Sequence, residues 1–196
     1  MANIRDWAKK FKADHPTIYS FAKDLAFSLV VVSVIALILY AYSGTWPPEA
    51  AVSGVSMLPH LHEGDLVLLQ SIDRSPIHTY DASVPINYTT YEGYGDIIVY
   101  HPHGDMSAPM VIHRVIRWVN RSETMYVDWH GNEVKAPHSG YITLGDNNDG
   151  VYDQEGSVCY NDPVRPEWIH GVVKFRVPYL GYIKEVVSGL LSGYFT

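Results

Sequence analysis

The chain has 196 residues, 47% of them apolar, which suits one ordinary domain plus an attachment and argues against a multi-domain or disordered protein. Residues 1–24 carry five Lys/Arg against three Asp/Glu, and the remainder carries nine against eighteen, a formal −9 that argues against nucleic acid as a partner. The single cysteine, Cys159, excludes an internal disulfide framework and a CxxC zinc site.

Arg5, Lys9, Lys10, Lys12 and Lys23 precede Leu25–Tyr42, an uncharged apolar run of eighteen residues. At about 1.5 Å per residue this run nearly crosses a hydrocarbon core of about 30 Å, so residues 25–42 read as a transmembrane helix. The positive-inside rule then puts residues 1–24 in the cytoplasm and everything after Tyr42 outside, as a single-pass protein of the cell membrane. A cleaved signal peptide, with Ala41-Tyr42-Ser43 as a small-x-small site, and a buried core helix are the competing readings. Asn3–Tyr19 mixes Trp7 and Phe11 with lysines and predicts a short interfacial helix ending near Pro16. Thr45-Trp46-Pro47-Pro48 cannot continue a helix and makes a stiff hinge.

Residues 43–179 read as an extracytoplasmic domain that is mainly β, because fifteen Tyr, twelve Pro and fifteen Gly favour strands and turns over helical bundles. Ala50–Ser53 predicts a short strand delivering the turn Gly54-Val55-Ser56. Gly64-Asp65 opens the strand LVLLQSI, and Gly95-Asp96 opens IIVYHP. Between them residues 73–95 are polar and aperiodic, an excursion from the core that contains the glycosylation pattern Asn87-Tyr88-Thr89. The strand MVIHRVIRWV alternates Val111, His113 and Val115 with Ile112, Arg114 and Ile116. Thr124–Asp128, Ser139–Gly145 and Trp168–Val177 predict further strands, with a turn over Trp129–Lys135. Residues 180–196 space Leu180, Ile183, Val187, Leu190 and Leu191 at helical period, which predicts an amphipathic helix lying on the membrane or self-associating.

The chemistry centres on SGVSMLPHLHE, Ser53–Glu63, where Ser56 is a candidate nucleophile. A serine hydroxyl attacks an amide only if a base takes its proton and donors hold the oxyanion. His113 is the candidate base, since an imidazole inside an apolar strand needs a partner, although a structural histidine satisfies the same pattern. The loop Asp146-Asn147-Asn148-Asp149 and Asp153 offers the orienting carboxylate, against the simpler reading of Asx-turns. His60 and His62 are candidate wall residues or a substitute base. His101-Pro102-His103-Gly104-Asp105 has ligand types without a clear fourth ligand, so neither metal nor cofactor is expected.

An N-terminal span followed in order by SGVSMLP, GDLVLL, GDIIVY, VIHRVI and TLGDNND resembles type I signal peptidase, in its archaeal and endoplasmic-reticulum branch. The resemblance runs from about Leu25 to Val187, without the excursion at 73–95. It implies a peptidase domain of small antiparallel β-sheets and removal of signal peptides from secretory preproteins. It also implies His113, where the bacterial branch places lysine, as base, and Asp153 as the orienting acid, with Asp146 supporting and Asp149 the rival. Leu58, Met57 and Val111 are expected at the substrate. Many members carry a serine two residues before the nucleophile; here that position is Gly54, which leaves the oxyanion to the Ser56 amide and Ser53. The implied partners are signal peptides and membrane lipid, with secretion machinery or a second copy as further candidates. A regulatory or self-cleaving serine peptidase and a non-catalytic membrane-anchored β-domain are the alternative functions.

Overall fold

The computed structural model describes residues 12–183; the expected segment before residue 12 and the amphipathic tail from residue 184 lie outside the described residues. Helix α1 runs Pro16–Ser43, longer than the apolar stretch predicts. Pro16 suits its first position, where the missing N–H forfeits no helical bond. Gly44, at φ +74°, ends the helix in the left-handed conformation that residues with a Cβ avoid, and Pro47 and Pro48 follow. Its apolar side chains face outward all round, Phe27 and Leu37 among them, and α1 is long and apolar enough to cross a membrane. The chain divides after Tyr42 into two compact units.

The second unit is mainly β. Six strands form one antiparallel sheet in the order β1 (Glu49–Ala51), β2 (Leu66–Gln70), β10 (Ile169–Val177), β5 (Ile97–Tyr100), β6 (Val111–Val119), β9 (Gly140–Leu144). Both faces are covered, which is why the central strand IIVY is apolar at every position rather than at alternate ones. Ile97 and Val99 pack with Met57, Leu61, Val67 and Leu69 on one side, whereas Ile98 and Tyr100 pack with Val115, Cys159 and Val172 on the other. On β6 the alternation continues, with Ile112 toward the first cluster and Val111 and Val115 toward the second.

Two expectations are corrected. Strand β1 occupies Glu49–Ala51 rather than Ala50–Ser53, because its partner residues Leu66–Leu68 end there. Residues 129–135 are not all turn: β8 (Glu133–Lys135) pairs with β7 (Thr124–Val127), and Val134 packs against a third cluster of Val119, Met125 and Ile142. Three residues are too few to display a period. The excursion holds α2 (Tyr80–Ser83), capped by Thr79, and a hairpin of β3 (Thr89–Thr90) and β4 (Gly93–Tyr94). Buried Asp96 ties it down, accepting from the His78 amide at 2.8 Å and the Tyr88 hydroxyl at 2.9 Å.

Candidate active site

Ser56 sits in a tight turn between β1 and β2. The Leu58 amide donates to Val55 O at 3.1 Å, and the His60 and Leu61 amides both reach Met57 O. Buried Met57 and Leu61 anchor the turn in the core, while Ser56 itself stays half-buried. From the loop after β9, the Asn147 amide donates to Ser56 O at 2.8 Å and its side-chain Nδ2 to Val55 O at 3.1 Å. The peptide around Ser56 is thus held from two directions.

His113 lies on β6 opposite Ile98 of β5. Its Nε2 is 3.0 Å from Ser56 Oγ, and its Nδ1 is 2.7 and 2.8 Å from the two oxygens of Asp153. The carboxylate fixes the tautomer: Nδ1 carries the proton toward Asp153, leaving Nε2 to accept from the serine hydroxyl. Asp153 is pinned by its own backbone, its amide donating to Thr143 O and its carbonyl accepting from the Cys159 amide. His113 and Asp153 are nearly inaccessible, at 4% and 2% exposure, so this polar line runs through dry protein.

The other acids of the loop go elsewhere. Asp146 takes a two-pronged contact from Arg114, Nε to Oδ1 and Nη2 to Oδ2, both at 2.7 Å, and a third from His60 Nδ1 at 2.7 Å. Asp149 is exposed, at φ +51°. His60 is therefore engaged by Asp146 rather than by Ser56. The metal-compatible run disperses as well: His103 bonds Asp162, Asp105 accepts from Ser107, and His101 packs its ring against His170.

Ser56 and His113 open onto a cavity of about 280 Å³, whose walls include Ser53, Met57, Met110, Val111 and Ile112. Leu58, expected there, is not among its lining residues. Ser53 is exposed at its edge. Among the described residues the Ser56 amide donates to no backbone carbonyl, which leaves it available to an oxyanion. Gly54 stands at φ +88° with open space where a Cβ would project. A larger hollow of about 620 Å³, beside His60, Lys174 and Arg176, is lined by neither Ser56 nor His113.

Two partners escape sequence reading. Tyr100, at the end of β5, donates its hydroxyl to Asp153 Oδ2 at 2.7 Å. Burial first, and then the Asp153 charge, hold this phenol well above the ordinary tyrosine range, so it remains a donor. The signal was a polar tip in an otherwise apolar run. Arg114 is the second: a guanidinium in a buried strand needs an acid as surely as His113 does. The chain matches no protein-family model and no curated protein.

Proposed function

We propose that the protein is a membrane-anchored serine endopeptidase that removes signal peptides from exported preproteins. The observation that carries this reading is the continuous line Ser56 Oγ–His113 Nε2 and His113 Nδ1–Asp153, at 3.0 and 2.7 Å, opening onto a cavity with both polar and apolar walls. In this mechanism Ser56 Oγ attacks the scissile carbonyl while His113 Nε2 takes its proton, and Asp153 stabilises the imidazolium as it forms. The Ser56 amide, assisted at the cavity edge by Ser53, donates to the oxyanion. His113 returns the proton to the leaving amine, and water, activated by the same imidazole, releases the acyl group from Ser56.

Signal peptides as substrates are supported by the resemblance of the motif series to type I signal peptidase. The helix α1 supports membrane anchoring, with the N-terminus cytoplasmic and the catalytic unit outside on the charge distribution. Confinement to the lipid surface raises the effective concentration of a substrate held in the same bilayer.

The test is cleavage of an exported preprotein by the purified full-length chain. Ser56→Ala is expected to lower kcat by about ten-thousandfold or more. Retained cleavage would sink the nucleophile assignment. Cleavage that depends on Ser56 but spares preproteins in favour of a cytoplasmic target would keep the peptidase and discard its substrate class.

A further inference from the structure

Building on the peptidase reading, we propose that Tyr100 is a positioning residue that fixes the Asp153 carboxylate and sets how strongly it holds the His113 Nδ1 proton. Tyr100 is wholly buried, so its hydroxyl must be paired within the protein. It lies 2.7 Å from Asp153 Oδ2 and 3.3 Å from Thr143 Oγ1. A carboxylate only accepts, so the phenol donates to Asp153, and the Thr143 hydroxyl is then the group that donates to the phenol oxygen. Gln154 completes the series: its Nε2 donates to Thr143 Oγ1 at 3.4 Å while its Oε1 accepts from the Thr143 amide at 3.1 Å. Thr143 and Gln154 are both fully buried.

The donors therefore run in one direction, Gln154 to Thr143 to Tyr100 to Asp153, and each hydroxyl polarises the next. From the other end Ser56 and His113 also donate toward Asp153. Oδ2 of Asp153 is the meeting point, 2.7 Å from both the phenol and the imidazole nitrogen. The remaining titratable group against Tyr100 is Cys159, whose thiol is pushed up to about 11, chiefly by burial. Both stay neutral, and the one fixed charge of the series is on Asp153. A phenylalanine would fill the same space; what the phenol adds is a proton. That proton draws density from Oδ2, so it orients the carboxylate and also moderates its pull on His113.

The test replaces Tyr100 in the full-length chain with phenylalanine and, separately, with 3-fluorotyrosine, a stronger donor of nearly equal size. The readout is the low-field proton resonance of His113 Nδ1–H. Tyr100→Phe is expected to move it further downfield and 3-fluorotyrosine upfield, with kcat for Tyr100→Phe reduced about ten- to a hundredfold at little-changed KM. The fluorinated protein retains the native packing and keeps the measurement open if the phenylalanine variant fails to fold. A resonance that neither replacement moves overturns the positioning role, whatever happens to turnover. The resonance requires no turnover, so a wild-type chain without Ser56-dependent cleavage would count against the peptidase reading and leave this test intact.

Discussion

The loop after β9 supplies aspartates to two histidines at the same distance, His60–Asp146 and His113–Asp153, each 2.7 Å apart, yet only the second pair touches a serine. Their third partners differ. Asp146 is neutralised by the guanidinium of Arg114, which grips both oxygens, whereas Asp153 receives a neutral phenol from Tyr100. A carboxylate whose charge is already matched has little left for an imidazolium; one held only by uncharged donors keeps it. Burial reinforces the contrast, with side-chain exposures of 21% and 8% in the first pair against 5% and 1% in the second. In the proposed mechanism a histidine–aspartate contact is therefore not in itself a catalytic signature, and the charge on the third group distinguishes the two pairs.

The largest effect that would break this comparison comes from Asp153→Asn, expected to cost about ten-thousandfold in kcat through the wrong histidine tautomer. Steady-state cleavage of a preprotein measures it. Asp146→Asn should do the reverse. It strips the counter-charge from Arg114, whose side chain is 4% exposed, and is expected to lower stability by about 3–5 kcal/mol while leaving most of the turnover of each folded molecule. Denaturant unfolding beside active-site titration separates the two quantities. Turnover abolished by Asp146→Asn at unchanged stability would exchange the roles assigned to the two aspartates.

His113 was legible as a candidate because an imidazole in the apolar strand VIHRVI demands a partner, and His60 and the loop aspartates because their residue types lie close to Ser56 in sequence or follow a predicted strand. Which aspartate each would meet was not legible. Asp146, Asp149 and Asp153 lie within eight residues of one another, and their separation depends on tertiary contacts, such as the Asp153 amide on Thr143 O, that no local pattern encodes. The long apolar helix and the main strands followed from composition and period. The two- to four-residue elements of the excursion and the three-residue strand β8 did not, since they are shorter than any period they could show. Tyr100 was hidden for another reason: in a strand buried on both faces, tyrosine looks like one more hydrophobe.

A smaller effect tests the oxyanion side of the proposed mechanism. Gly54→Ser introduces the hydroxyl that the resembled family often carries there, but at φ +88° any residue with a Cβ is strained. With open space around the site the penalty is confined to the backbone, about 1 kcal/mol, which lowers Tm by about 2–4 °C in a domain of this size. No gain in kcat is expected. A rise of about a hundredfold or more, the share of one added donor, would instead show that the turn relaxes to bring the hydroxyl to the oxyanion.

The smallest expected effect extends the phenol–carboxylate theme to a pair without chemistry. Tyr88 donates to buried Asp96 as Tyr100 does to Asp153, and its hydroxyl is raised from 10.0 to about 12, first by burial and then by that acid. A phenol with a raised folded value stabilises the protein fully below its unfolded value. The contribution is lost as pH climbs from about 10, where the unfolded chain ionises, through about 12, where the folded one follows. Tm measured across this interval should therefore fall less steeply in Tyr88→Phe than in the wild type. An equal slope in both would show that the Tyr88–Asp96 contact does not persist in alkaline solution. Because Tyr100 is the more deeply buried phenol, its phenylalanine variant should flatten the same slope further, which distinguishes the enclosed carboxylate of the His113–Asp153 pair from the one that fastens the excursion.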